Sequence, residues 1–347
     1  MYLPKYSITN KILKNIGIVE ACREVIMNAP LVPAYEKRFR EEAIIRTVHH
    51  GTHIEGNELN LTEAEQVIKG NPVVGKDRDI QEVLNYRNVL FYLDNVKNEE
   101  SGGKISEEAI KKIHALTVEK IMTVEQAGVY RKTQVVVKNS VTGEITFRPP
   151  PAIEIPYLMG DFVEWLRKQK DELHPALKAG ITHYELVRIH PFIDGNGRMA
   201  RSVATLVLFL DDYDIKKFFS LEEFYDKDAG SYYESLRSAS AGELTTWLEY
   251  FTQGLSIELT RIKEKVRKLS TDIHLKEKLG GKQVFLTERQ IAIMEYIQRV
   301  GYLSNQGFTD LFPKISEDTI LRDLHDLIEK GIIKKEGRTK AARYLLR

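Results

Sequence analysis

The most informative stretch of this 347-residue chain is His190-Pro191-Phe192-Ile193-Asp194-Gly195-Asn196-Gly197-Arg198-Met199-Ala200-Arg201. Gly195 and Gly197, with Asn196 between them, tolerate positive φ and predict a turn. The apolar run 199–210 that follows predicts a buried helix. The turn therefore delivers backbone N–H groups at a helix N-terminus, where anions bind readily.

The charged side chains of this stretch suit a site for a magnesium-bound triphosphate. Asp194 supplies a hard oxygen ligand, and Mg²⁺ usually takes one or two carboxylates together with phosphate oxygens. Arg198 and Arg201 are three residues apart, so both point to one side of a helix. His190 has an ordinary pKa close to neutrality, which suits a general base. Each feature alone is more often a plain turn or a buried histidine; their combination and order favour a nucleotide site.

The pattern H-P-F-x-[D/E]-G-N-G-R-x-x-R in residues 190–201 resembles the signature of Fic-domain AMP-transferases. The resemblance extends over roughly residues 35–260. It implies that His190 is the catalytic base that activates a target hydroxyl. It also implies that Phe192 anchors the loop in the core and that Asp194 holds Mg²⁺.

The same resemblance implies the nucleotide contacts. Asn196 and the amides of Gly195 and Gly197 would hold the α-phosphate of ATP. Arg198 would face the β- and γ-phosphates, and Arg201 the γ-phosphate or a regulatory carboxylate. The implied reaction is attack by a Ser, Thr or Tyr hydroxyl of a target protein on the α-phosphorus, with ATP and Mg²⁺ as cofactors.

A second motif, Gly51-Thr52-His53-Ile54-Glu55-Gly56, resembles the [S/T]-x-x-x-E-[G/N] motif of self-inhibited Fic proteins. The resemblance implies that Glu55 pairs with Arg201 and so inhibits the enzyme. Gly51 stands where that motif has Ser or Thr, and Thr52 follows one position late. The simpler interpretation is a helix from about residue 33 that ends at Gly56, and an inhibitory helix 33–56 satisfies both.

A β-hairpin is predicted between the two motifs. The segments 134–137 and 144–147 have the strand pattern, with a turn between them. In the Fic resemblance this hairpin, residues 134–147, is the flap, which holds the target by strand addition. The alternative is an ordinary surface hairpin. Further along, Tyr232-Tyr233 resembles the end of the Fic core, and Tyr232 either borders the adenine pocket or belongs to the aromatic core.

The C-terminal pattern resembles a winged helix-turn-helix. A capped helix begins near Thr287, a short helix covers about 304–311, and a third helix covers 316–330, followed by a two-stranded wing. The third helix carries five acidic and two basic residues, whereas residues 332–347 carry six basic and one acidic. Because phosphate contact needs positive charge, DNA binding and protein docking or dimerisation both remain open.

The expected fold class is mainly α: a helical Fic core with a β-hairpin flap, plus a small C-terminal winged-helix domain. The expected organisation has four parts: an N-terminal helical region 1–104, a catalytic core 105–260, a basic helical linker 261–283 and a winged helix-turn-helix 284–347. The expected function is a protein adenylyltransferase. The alternatives are a nucleotide-sensing winged-helix transcription regulator and an enzyme that removes AMP from its target.

Composition narrows the setting of this function. The net charge is +1, which gives no global attraction to nucleic acid or membrane. Apolar runs are too short to span a bilayer and no signal-peptide pattern opens the chain, so a cytoplasmic location is expected. Cys22 is the single cysteine, which excludes a disulfide framework and a cysteine-based zinc site. The expected partners are a target protein, the chain itself through self-modification, and a second copy in a homodimer.

Overall fold

A computed structural model of the chain describes residues 2–29, 31, 33–98, 105–138, 145–169, 172–239, 242–269, 286–304, 307–308, 311–313, 315–337 and 342–347. The described residues are mainly helical, with a few short strands, so the predicted fold class is confirmed. The chain divides into two compact units, Met1–Met27 with Glu41–Ile262 and Asn28–Arg40 with Lys263–Arg347.

The larger unit is built from helices. In chain order these are α1 Asn10–Asn28, α2 Pro33–His53, α3 Leu61–Ile68, α4 Asp77–Asn98, α5 Glu107–Thr117, α6 Ile155–Lys168, α7 Pro175–Ile189, α8 Asn196–Leu210, α9 Leu221–Lys227, α10 Ala229–Ser238 and α11 Thr245–Leu269. The first residues of α2 and the last of α11 belong to the smaller unit.

Helices α7 and α8 form the centre of the larger unit. They pack closely on each other, and α4 and α5 pack on α8. Almost every side chain of α7 and α8 is buried, including charged ones such as Lys178, Glu185, Arg198 and Arg201. The short loop 190–195 that joins them is therefore fixed at both ends by buried helices.

Helix starts follow the capping chemistry of the sequence. Ser106 caps α5 and accepts a hydrogen bond from the Ala109 N–H. Thr62 and Glu65 have the spacing of a capping box, but helix α3 begins two residues earlier. Its N-cap is Asn60, whose side chain accepts from the Glu63 N–H while Glu63 accepts from the Asn60 N–H.

The predicted hairpin is present but short. Strand β1 is Val137–Lys138 and strand β2 is Ile145–Phe147, and they pair antiparallel with Val137 opposite Phe147. Residues 139–144, which include part of the predicted flap, lie outside the described residues.

The smaller unit contains α12 Glu288–Val300, β3 Leu303–Ser304, α13 Glu317–Glu329, β4 Ile333–Glu336 and β5 Arg343–Leu346. Thr287 caps α12 in a capping box with Gln290, as the sequence indicates. The sheet has three strands in the order β3-β5-β4, so the predicted two-stranded wing is extended by Leu303–Ser304. Ser304, expected to begin a helix, pairs with Arg343 instead because Leu303 is buried in the unit's core.

No helix among the described residues is both long and apolar enough to cross a membrane.

Candidate active site

His190 ends α7 in a left-handed conformation, with φ 51° and ψ 59°. Such a conformation costs a non-glycine residue about 1–2 kcal/mol, so it must be held by its surroundings. Its backbone N–H donates to the Leu186 carbonyl, and its Nδ1 lies 3.3 Å from the Val187 carbonyl oxygen. Because a carbonyl oxygen only accepts, Nδ1 carries the proton and the lone pair is on Nε2.

Burial lowers the pKa of His190 to about 4. The Arg131 charge lowers this pKa further, whereas the Val187 carbonyl and the carboxylates of Glu55 and Asp194 oppose the shift. The imidazole is therefore neutral at pH 7, which is the form that accepts a proton.

Arg131 holds the backbone of the loop and is 2% exposed. Its backbone N–H donates to the Pro191 carbonyl at 2.9 Å, and its Nε donates to the His190 carbonyl at 2.9 Å. Its two terminal nitrogens donate to the carbonyls of Thr133 and Pro150, on either side of the hairpin. Neither motif of the sequence singled out this arginine.

Phe192 is fully buried and fixes the middle of the loop. Its ring stacks on His114, with centroids 3.7 Å apart and planes 6° apart. The Asn196 side chain accepts from the Phe192 N–H and donates to the Phe192 carbonyl, both at 2.9 Å. His114 Nε2 donates to the Asp194 carbonyl and its Nδ1 accepts from the Gly128 N–H. The side-chain amide of Asn196, expected to hold phosphate, therefore binds the backbone of Phe192 within the loop.

The two glycines of the loop form the predicted helix N-terminus. Gly195 precedes α8 with φ 75°, which glycine adopts without strain. A Cβ on Gly197 would lie 2.3 Å from Glu55 Oε1, so only glycine leaves room for this carboxylate. The Glu55 carboxylate therefore lies against the first turn of α8, where a helix favours an anion.

Arg201 pairs with Glu55, as the second motif predicts. Arg201 Nη2 is 2.8 Å from Glu55 Oε1, and the same nitrogen donates to the Gly51 carbonyl at 2.9 Å. The Arg201 side chain is 1% exposed and that of Glu55 is 29% exposed. The two motifs, 146 residues apart in sequence, thus meet in one ion pair.

Gly51 is explained by its neighbour on α4. A Cβ on Gly51 would lie 2.2 Å from a ring carbon of Tyr86, so any larger residue would displace that ring. The hydroxyl of Thr52 donates to the carbonyls of Val48 and His49 within α2. The departure from the Ser/Thr motif therefore leaves α2 intact to its end at His53, two residues before Glu55.

Arg198 pairs with a different carboxylate, Glu82 of α4, which the sequence gave no reason to single out. Arg198 Nη1 lies 3.1 Å from Glu82 Oε1, and both side chains are nearly inaccessible to solvent. Glu82 also accepts from Arg78 Nε at 3.2 Å and from the Asn57 side chain at 3.2 Å. Arg78 Nη2 continues to Asp194 Oδ2 at 3.0 Å. Arg78 and Glu82 thus connect the arginine and the carboxylate of the loop.

The two arginines of the loop have spare hydrogen-bonding capacity. Within the described part of the chain, Nε of Arg198 and Nε of Arg201 are buried and make no hydrogen bond, and Nη1 of Arg198 has only its ion pair with Glu82. Buried donors without acceptors are costly, and phosphate oxygens are suitable acceptors for them.

Asp194 is suited to a magnesium ion that also binds phosphate. Its side chain is 45% exposed, and its Oδ1 accepts from the Gly195 N–H at 2.7 Å. The residues that the structure covers form no cluster of three or more protein metal ligands. One accessible carboxylate beside an anion site fits Mg²⁺, because this ion keeps waters and phosphate oxygens in its shell.

The structure separates the two tyrosines near the C-terminal end of the core. Tyr232 is 1% exposed, its hydroxyl lies 3.1 Å from His183 Nε2, and its ring stacks on Tyr225. Tyr233 is 43% exposed and its hydroxyl donates to the Ile54 carbonyl at 3.3 Å. Tyr232 therefore lies in the aromatic core, the second of the two roles weighed from the sequence.

Comparison with known proteins agrees with this geometry. Residues 104–208 match the family model of the Fic/DOC family, and residues 289–340 match a DeoR-like helix-turn-helix domain. The chain is 30% identical over 237 residues to the protein adenylyltransferase Fic of Nematostella vectensis, covering 67% of this chain and 52% of that protein. It is 27% identical over 267 residues to the Culex quinquefasciatus protein of the same name, covering 75% and 50%. The chain thus spans about half the length of these curated relatives.

Solved structures give the same result. A Fic family protein from Desulfovibrio desulfuricans G20 aligns with a TM-score of 0.68 and 26% identity over 100% of this chain and 98% of that one. The Caenorhabditis elegans Fic-1 fragment aligns in fold, with a TM-score of 0.61, 23% identity and coverage of 74% and 73%. The chain belongs to the Fic/DOC family through residues 104–208 and carries a DeoR-like helix-turn-helix domain at residues 289–340.

Proposed function

We propose that the chain is a protein adenylyltransferase that moves AMP from ATP to a Ser, Thr or Tyr hydroxyl of a target protein. The observation that carries the proposal is the anion site at the start of α8. Gly197 leaves room there for a charged group, and the buried Arg198 and Arg201 keep donors unused. The neutral imidazole of His190 ends the preceding helix.

The chemistry follows from these positions. His190 Nε2 accepts the proton of the target hydroxyl while its oxygen attacks the α-phosphorus of ATP. The bond from the α-phosphorus to the bridging oxygen breaks, and pyrophosphate leaves. Mg²⁺ held by Asp194 would neutralise phosphate charge, and Arg198 and Arg201 would bind the β- and γ-phosphates. Positioning and charge stabilisation therefore supply most of the catalysis, with one general base contributing about 10²–10⁴-fold.

We further propose that Glu55 inhibits this reaction by occupancy. Its carboxylate engages Arg201 and lies against Gly197. A γ-phosphate would meet negative charge there and would lose the Arg201 guanidinium. ATP then binds with its α-phosphorus out of line, and a displacement of about 1 Å costs on the order of 100-fold in rate.

The flap is the proposed docking site for the target. Among the described residues, β1 and β2 form a two-stranded sheet with no further strand beside it, so an added strand could pair with an outer edge, which gives affinity with little sequence specificity. Self-modification and homodimer formation remain part of the proposal.

The test uses ATP labelled on the α-phosphate, with Mg²⁺, and follows label on protein. The wild type, Glu55→Gly and Glu55→Gly with His190→Ala are compared, and calorimetry measures ATP binding for each. Strong labelling of Glu55→Gly alone is expected. Equal labelling by the double variant would contradict the role of His190, and absence of label in every form, despite ATP binding and added cell extract as acceptor, would contradict the adenylyltransferase itself.

The labelled product also tests the reverse reaction. Protein labelled by Glu55→Gly is purified and incubated with wild-type protein without ATP. If the label is lost when wild-type protein is added and is retained when only Glu55→Gly is present, AMP removal is assigned to Glu55.

A second candidate is a nucleotide-sensing transcription regulator, which the DeoR-like match at residues 289–340 favours. In α13 the exposed side chains include Arg322 beside acidic residues, and Ser316 precedes the helix. Binding to duplex DNA that has a sequence preference, weakens with salt and changes with ATP would support it. Absence of binding at low salt would leave the domain as a protein-contact module.

A further inference from the structure

Among the described residues, Arg131 is the guanidinium whose hydrogen bonds join the catalytic loop to the hairpin. One residue contacts the His190 and Pro191 carbonyls on the loop side and the Thr133 and Pro150 carbonyls on the hairpin side. The two hairpin contacts lie on opposite sides of the strand pair, before β1 and after β2. Any change in the angle of the hairpin therefore has to move this guanidinium or break its bonds.

The chemistry of Arg131 is unusual for a residue that only stabilises the fold. Its side chain is buried, and within the described ranges its hydrogen bonds go to backbone carbonyls and to no carboxylate. Burial lowers the pKa of its guanidinium. A buried cation without a counterion is expensive, and carbonyl dipoles alone compensate this one. A neutral side chain would fill the same space at lower cost, so the directional donors are what the site uses.

The contact with His190 is placed at the point of backbone strain. His190 has φ 51°, and its carbonyl is the group whose direction changes when that residue leaves the left-handed region. The Nε hydrogen bond to this carbonyl, with the Pro191 contact beside it, opposes that change. The same contacts fix the Cα–Cβ direction of His190, and the Nδ1 contact with the Val187 carbonyl orients the ring.

We infer that Arg131 is a positioning residue that ties both ends of the hairpin to the catalytic base. It thereby keeps a target strand on the flap and His190 in a fixed position relative to each other. The inference rests on the proposed function. It assigns to Arg131 no contact with substrate. Its effect on the reaction passes through the backbone of His190 and the roots of the hairpin.

The test is made in the Glu55→Gly protein, with self-modification as the transfer reaction and ATP labelled on the α-phosphate. The variants are Arg131→Lys, which keeps the charge but loses the fork of donors, and Arg131→Gln, which keeps two donors without charge. Lys132→Ala is the matched control, because it removes one charge from the adjacent, exposed position. Single-turnover rates are measured against ATP concentration, and thermal unfolding reports the fold.

A positioning role predicts that Arg131→Lys lowers the maximal rate by about 100-fold. The ATP concentration for half-maximal rate changes by less than about threefold, because Arg131 contacts no nucleotide-binding group of the loop, and Lys132→Ala is unchanged. A merely structural role would lower the fraction of active protein, and hence the amplitude, without changing the rate of the remainder.

Three outcomes would overturn the inference. An unchanged maximal rate in folded Arg131→Lys and Arg131→Gln would remove the positioning role. A rise in half-saturating ATP with an unchanged maximal rate would make Arg131 a nucleotide-binding residue. Failure of both variants to unfold cooperatively would make it a member of the structural core. Lack of labelling in the Glu55→Gly parent would instead contradict the proposed function, so the two failures are distinguishable.

Discussion

Arg198 and Arg201, at the start of α8, are equally buried, but the glutamates that they face differ. Arg201 faces Glu55, which lies just beyond the end of α2 with a side chain 29% exposed. Arg198 faces Glu82, which lies within α4 with a side chain 6% exposed. Glu82 has further hydrogen bonds from Arg78 and Asn57.

This difference separates an exchangeable contact from a permanent one. Glu55 is attached to the last turn of a helix and stands in the space that Gly197 leaves open. Under the proposed inhibition, it would leave when that turn moves, and a phosphate would take its place. Glu82 is fixed by three partners, and removing it would leave the Arg198 charge buried and unpaired. The first pair is suited to regulation, and the second to holding an arginine in place.

The largest expected effect comes from breaking the permanent pair. Glu82→Ala is expected to lower the free energy of unfolding by about 3–5 kcal/mol, because it leaves a buried guanidinium without its carboxylate. Urea unfolding followed by circular dichroism measures the change. Glu58→Ala is the control, since Glu58 is 69% exposed and pairs only with Lys76 at the surface. A loss equal to that of the control would show that Glu82 is not structurally required.

The exchangeable pair is expected to affect rate far more than stability. Glu55→Gly should raise AMP transfer by about 100-fold, because Arg201 is released to the γ-phosphate. Glu55→Gln keeps the size of the side chain and removes its charge, so its rate should lie between those of the wild type and Glu55→Gly. Equal rates for the two variants would assign the inhibition to charge alone, and a Glu55→Gln rate equal to the wild type would assign it to bulk.

A smaller effect is expected at the exposed end of the Arg78–Glu82 pair. Arg78 has a side chain 60% exposed and pairs with Asp194, so it would compete with a Mg²⁺ ion bound there. Arg78→Ala in the Glu55→Gly protein should therefore lower the Mg²⁺ concentration for half-maximal transfer by up to about fivefold, since an exposed ion pair is worth at most about 1 kcal/mol. Lys76→Ala is the control, because Lys76 lies two residues before Arg78, is also exposed and pairs with Glu58 rather than with Asp194. A raised Mg²⁺ requirement would instead give Arg78 a role in binding phosphate.

The smallest effect concerns pH. The pKa of His190 is about 4, below its ordinary value, because the imidazole is buried. The folded protein thus keeps the base neutral as pH falls, and kcat/KM of Glu55→Gly should stay level from pH 8 to about pH 5 before it declines. The Glu55 carboxylate raises this pKa, so the decline in Glu55→Gly and in Glu55→Gln should lie at lower pH than in the wild type, whereas that of Glu82→Gln should not. A decline centred near pH 6.5 would contradict the burial of the base.

Much of the site could be predicted because its residues are adjacent in sequence. The loop places His190 and both arginines on a turn and a helix whose geometry is local. The pairing of Glu55 with Arg201 is a long-range contact, and it was predicted only because both motifs resemble those of one family. Helix and turn patterns in the sequence give no distance between Glu55 and Arg201.

The residues that the sequence did not predict have roles that depend on long-range contacts in the folded chain. Arg78 and Glu82 form an i,i+4 pair that any helix surface can carry, and no sequence pattern tells that this pair faces the loop. Arg131 donates only to backbone carbonyls, which leave no trace in side-chain composition. Tyr232 is buried by aromatic rings that come from three other helices, so its role depended on the assembled core.

The space beside Gly197 has a genetic consequence. A Cβ at position 197 would meet the Glu55 carboxylate. If the γ-phosphate takes the place of that carboxylate, as proposed, the same side chain would exclude the phosphate, and inhibition would not be escaped there without loss of the substrate. Selection for hyperactive alleles should therefore recover changes in the last turn of α2 and around Glu55, and none at position 197.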